Sequence, residues 1–93
     1  MKLRLAFGDT LRELRQDQHR TLREISVKSG VALGYVSEVE RGQKEASSEV
    51  LESLTNTLGI SMADFLILTA LRLGGIPDTP KDLLDEYTDL VVR

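Results

Sequence analysis

Cysteine is absent from the 93 residues, which carry one histidine and no tryptophan. Without thiols there can be no disulfide, no thiolate metal site and no cysteine nucleophile, and a reducing, intracellular setting is expected. The single histidine, His19, has no second imidazole to share a metal with and reads as a surface turn residue. The chain contains no Gly-rich phosphate loop, nucleophile elbow or HExxH segment, and carboxylate neighbours such as Asp85 and Glu86 fall on an exposed helical face rather than in a cleft. Neither an enzyme nor a cofactor is expected. The longest strongly apolar run, Phe65 to Leu71, is far short of the ~20 residues that cross a bilayer. No basic-then-apolar leader opens the chain. A cytoplasmic protein without a membrane partner is the expectation.

Positive charge is also scarce, since the formal net charge is −3. Its distribution matters more than its sum. Residues 1–46 hold nine Lys/Arg against seven Asp/Glu, whereas residues 47–93 hold three against eight. A local basic surface in the first half can therefore face an anionic partner while the second half points away from it. The acidic run Asp82, Asp85, Glu86 and Asp89 reads as a solvated face.

Only two prolines interrupt the chain, and its apolar residues recur at helical spacing rather than alternating as in strands. Six helices are predicted. Phe7, Leu11 and Leu14 mark the first, over about residues 7–16. Thr21-Leu22-Arg23-Glu24 forms a capping box that opens the second, and Gly30 supplies the left-handed residue that ends it. The third runs from about Leu33 to Glu40. Ser47 starts a fourth, with Val50, Leu51, Leu54 and Leu58 on one face before Gly59. Ser61 starts a fifth, which continues to about Leu73. After a break at Gly74-Gly75-Ile76-Pro77, Thr79 and Pro80 open a sixth through Leu90.

The informative stretch is Thr21 to Gly42, TLREISVKSGVALGYVSEVERG. Two short helices joined by a tight turn at Gly30-Val31 place one helix across a DNA backbone and the next in the major groove. Leu22 and Ile25 point inward, Val31 fills the turn, and Val36 and Val39 hold the third helix to the core. That leaves Leu33, Gly34, Ser37 and Glu38 facing base edges. Leu33 can lie on a thymine methyl, Gly34 can let the backbone come close, Ser37 can donate or accept, and Glu38 can accept from a cytosine amine. Leu33 has turn packing as its other reading, and Glu38 an intrahelical pair. Phosphate contacts are assigned to the amino end of the second helix (Thr21, Leu22 and Arg23), to Tyr35, and to the loop residues Arg41, Gln43 and Lys44. Arg23 and Lys28 are open to a second reading as solvated charges.

At these residues the chain resembles the Cro/CI (XRE) repressor family. The matching features are Thr-x-x-Glu-Ile, Gly30-Val31, Tyr35-Val36-Ser37 and Glu40-Arg41-Gly42. The likeness extends back to Leu11-Arg12-Glu13-Leu14-Arg15 and forward to Leu58-Gly59-Ile60. Within the family, the run TLREIS…GYVSEVERGQKEASSEVL is similar to actinobacterial regulators of Clp protease genes. The resemblance implies an all-α fold, a lambda-repressor-like domain of five helices with an extra C-terminal helix. It also implies that Gln43 and Lys44 lie along the DNA backbone, and that Arg15 and Glu40 form an internal ion pair bracing the recognition helix. Ala32, Leu33 and Gly34 depart from a family pattern that favours Ser or Thr followed by Gln or Arg, so amide-to-adenine bonding from these positions is unavailable.

The fifth helix, MADFLILTALRL, is apolar nearly all round and must be covered on more than one side. We therefore divide the chain into a DNA-binding domain, residues 1–60, and a homodimerisation region, residues 61–93. The expected interface comprises Phe65, Leu66, Leu68, Leu71, Leu73, Leu83, Leu84, Tyr87, Leu90 and Val91. A twofold dimer matches an inverted-repeat operator. The reading is then a dimeric, sequence-specific transcriptional regulator on double-stranded DNA, with RNA polymerase and Clp protease (as the degrading enzyme) as further partners. The apolar end Leu90-Val91-Val92-Arg93 serves either as a degradation signal or as a packed helix terminus. Two alternatives stand beside it, the DNA-binding antitoxin of a toxin–antitoxin pair and a helical protein-interaction module.

Overall fold

The computed structural model describes residues 2–74. Among them are five helices and no strand: α1 Leu3–Asp17, α2 Leu22–Ser29, α3 Leu33–Glu40, α4 Ser48–Thr57 and α5 Met62–Arg72. The sixth predicted helix, with Leu83, Leu84, Tyr87, Leu90 and Val91, lies outside the described residues.

Helices α2, α4 and α5 begin where local chemistry satisfies their first amides. The Thr21 hydroxyl accepts from the Glu24 amide, and the Glu24 carboxylate accepts from the Thr21 amide in return. Ser47 and Ser61 accept from the amides of Val50 and Asp64. Each serine offers the oxygen that an otherwise unpaired helix donor needs. The start of α1 differs from expectation. It begins at Leu3 rather than near Phe7, after an extended Lys2 that provides no side-chain cap. Its extra turn is held by tertiary contact: Ala6 is fully buried, and Leu5 lies against Gly42.

A single core joins all five helices, built from Leu11, Ile25, Val36, Val39, Leu51, Leu54, Leu58 and Phe65. Phe65 of α5 is fully buried and stacks on Phe7 of α1, with ring centroids 5.4 Å apart. Its expected place in a dimer interface is thereby corrected. The helical register turns Phe65 toward α1 and α4, so it fills its own subunit's core and offers nothing to a partner. Its neighbours on α5 remain outside, with Leu66, Ile67, Leu68, Leu71 and Leu73 all exposed.

Polar contacts tie the ends together. Gln18 donates to the Leu58 carbonyl and Arg20 to the Thr57 carbonyl, each at 2.7 Å. These two bonds satisfy acceptors that the end of α4 leaves unpaired and clamp the α1–α2 turn onto it. Arg72 of α5 reaches back to Thr10 and Glu13 of α1.

Candidate nucleic-acid interface

The site is assembled from α2, the turn after it, α3 and the loop that follows. Gly30 adopts φ 77° and closes α2. The turn is then fixed by Ser26, whose hydroxyl donates to the Val31 carbonyl at 2.6 Å, while the Ser29 hydroxyl accepts from the Val31 amide. Val31 packs against the core from this turn. Neither serine stands out in the sequence, because side-chain bonds to a neighbouring turn carry no periodic signature.

Helix α3 is divided by depth. Val36 and Val39 are buried at 1% and 2% exposure, whereas Leu33 is 39% exposed. Gly34 is exposed, and Ser37 and Glu38 are half-buried. The outward placement of Leu33 disfavours its alternative reading as turn packing. Glu38 has no ion-pair partner among the described residues, so its carboxylate is open to an external donor. Ala32 caps α3 without a side-chain hydrogen bond, so the first amides of the helix take no partner from it.

The carboxyl end of α3 is braced from behind. Arg15 of α1 donates from Nε to Glu40 Oε2 at 2.8 Å and from its terminal nitrogen to Oε1 at 3.0 Å. Its other terminal nitrogen donates to the Arg20 carbonyl at 2.9 Å. The hydrogen bond to Glu40 raises the guanidinium pKa above its ordinary value, the nearby carboxylate charge acting in the same direction against desolvation. Beside this fork, Gly8 brings α1 close to the last turn of α3: a methyl group at Gly8 would stand 2.5 Å from the carbonyl oxygens of Val39 and Glu40. A glycine inside a helical pattern is the sequence signal for such an approach.

The loop after α3 turns at Gly42, φ 70°, and is held by the Gln43 amide bonding the Glu38 carbonyl at 2.9 Å. Arg41, Gln43 and Lys44 are exposed here, as is Arg23 on α2. Neither Arg23, Arg41 nor Lys44 pairs with a carboxylate among the described residues. One expected phosphate ligand needs correction. The Tyr35 hydroxyl donates its only proton to the Glu45 carbonyl at 2.7 Å, leaving lone pairs that cannot bond an anionic oxygen; Tyr35 instead fastens the loop. At the amino end of α2 the Thr21 amide is occupied by Glu24 and its hydroxyl accepts from the Glu24 amide, while the amides of Leu22 and Arg23 remain for an anion. No group of His, Asp or Glu side chains among the described residues could hold a metal ion.

Two short helices, the second braced from behind with an exposed outer edge and flanked by cations without carboxylate partners among the described residues, define a helix-turn-helix module. A family profile described as helix-turn-helix matches residues 11–65, and the chain belongs to that family. More particularly, it is 48% identical over 65 residues to the transcriptional regulator ClgR of Mycobacterium tuberculosis, a match covering 70% of this chain and 58% of that protein. The chain thus spans little more than half the length of that curated relative. The crystal structure of the clp gene regulator ClgR from Corynebacterium glutamicum superposes with a TM-score of 0.76 at 43% identity, covering 98% of this chain and 88% of that one. The fold alone is shared with the restriction-modification controller protein C.Esp1396I in complex with its natural 35 base-pair operator, at TM-score 0.75 and 19% identity, covering 81% of this chain and 99% of that one.

Proposed function

We propose that this protein is a cytoplasmic transcriptional regulator that binds an inverted-repeat operator as a homodimer, with Clp protease genes among its targets. The observation that carries the reading is the two-sidedness of α3, whose inner residues Val36 and Val39 are buried while Leu33 and Gly34 are exposed. In this reading α3 enters the major groove. Leu33, Ser37 and Glu38 meet base edges, and the amino end of α2 with Arg23, Arg41, Gln43 and Lys44 holds the phosphates on either side. The likeness to ClgR in both sequence and structure supports the choice of target genes. Residues 61–93 supply the dimer contact, and the exposed leucines of α5 support that assignment. Two copies double the phosphate contacts, which offsets the acidic net charge. In this reading RNA polymerase and Clp protease, the latter as the degrading enzyme, are the further partners.

Selection of bound sequences from a random duplex pool tests this directly. The expected product is a palindrome whose half-sites lie about one helical turn apart, ~34 Å along one face. Lys44→Ala is expected to weaken binding to every duplex alike and to reduce the salt slope by about one, whereas Glu38→Ala relaxes preference at particular bases. A pool that yields no enriched sequence, or binding indifferent to salt, overturns the proposal.

A further inference from the structure

Gly34 has no structural reason to be glycine. It occupies the first turn of α3, where a helix is weakened by a residue with so much conformational freedom. Every other glycine among the described residues has a use within the protein. Gly30, Gly42, Gly59 and Gly74 take positive φ, and Gly8 lies against the carbonyls of α3. Gly34 does neither: it is helical and exposed, and a Cβ built there meets no atom within 4 Å. The chain accepts a local loss of stability at this point and gains no contact from it.

We propose that the missing side chain is a space reserved for DNA. Resting on the helix-turn-helix reading above, this makes Gly34 a positioning residue: the bare backbone of the first α3 turn lies against the duplex at contact distance. Leu33 beside it then reaches the groove floor. A methyl at residue 34 holds the helix away and loosens its neighbours' base contacts, while the phosphate contacts of Arg41 and Lys44, on a separate loop, are kept. Specific binding therefore depends on Gly34 and non-specific binding does not.

The variant that tests this is Gly34→Ala, which fits the unliganded fold. Its melting temperature is expected to rise by a few degrees, since alanine is the better helix former and nothing obstructs it. Its affinity for the duplex selected from a random pool is expected to fall by about tenfold or more, while affinity for a scrambled duplex stays within about twofold. Unchanged affinity for the selected duplex overturns the inference, and so does a loss accompanied by a lower melting temperature, which reveals a role in the fold. Lys44→Ala, measured alongside, separates the two ideas. If it weakens binding and Gly34→Ala does not, the interface stands and the reserved space fails; if neither matters, the interface itself is misplaced.

Discussion

Arg15 makes three hydrogen bonds, gripping Glu40, far along the chain, with two and the carbonyl of nearby Arg20 with the third. Its planar fork suits this task, whereas a lysine carries its donors on a single nitrogen and lacks the geometry to replace it. With side-chain exposures of 14% for Arg15 and 7% for Glu40, removal of either partner strands the other in a poorly hydrated place. Arg15→Ala is expected to destabilise the fold by about 2–4 kcal/mol, and Arg15→Lys by less, in urea unfolding. A double-mutant cycle with Glu40→Gln isolates the pair itself; a coupling near zero removes it as the brace of α3. The family likeness names both residues beforehand. The third bond, to Arg20, has no sequence signal because its acceptor is a main-chain carbonyl.

At the scale of one element, α2 shows how local chemistry sets a helix start. The Thr21 amide hydrogen-bonds the Glu24 carboxylate and lowers its pKa below the ordinary carboxylate value, with the Thr21 hydroxyl adding to the effect. A pKa lower in the folded chain than in the unfolded one means stabilisation that is full above the unfolded value and lost as pH falls through the folded value. Separately, Thr21→Ala removes the hydroxyl that caps the Glu24 amide and is expected to cost about 1 kcal/mol at neutral pH, measured by urea unfolding. Glu24→Gln keeps an acceptor but has no proton to gain, so its stability is expected to change less than that of the parent chain on acidification through the carboxylate range. An identical acid dependence rules out Glu24 as a contributor. The capping box, Ser47 and Ser61 make the starts of α2, α4 and α5 legible in sequence, since their partners lie three residues away. The start of α1 has no such cap, and its first turn exists because Leu5 and Ala6 pack on elements far along the chain.

For the whole molecule, the important surface is the outward side of α5. Leu66, Ile67, Leu68, Leu71 and Leu73 are each between 38% and 47% exposed, a larger apolar stretch than a lone subunit gains from showing to water. Ile67→Glu places a charge in the middle of that stretch, where the native side chain is 46% exposed, and so leaves the core intact. Sedimentation is expected to show a shift from dimer to monomer, with an unchanged helical spectrum and a weaker operator complex. A variant that remains dimeric with parental affinity relocates the interface away from α5. The sequence reading takes Phe65 as outward-facing and passes over Ile67, whereas Phe65 is buried and Ile67 exposed, because an almost uniformly apolar helix carries no periodic mark of which side its own core takes.

Helix content, the order of the five helices and the identity of the turn residues follow from the sequence alone, because caps, left-handed glycines and apolar spacing act within a few residues of one another. Long-range choices belong to the tertiary structure. Packing alone determined that α5 turns Phe65 inward, that Tyr35 commits its hydroxyl to the loop, and that Gly8 makes room for α3 whereas Gly34 makes room for no part of the protein. Each depends on which surfaces meet after the chain has closed on itself, and no local pattern encodes that meeting.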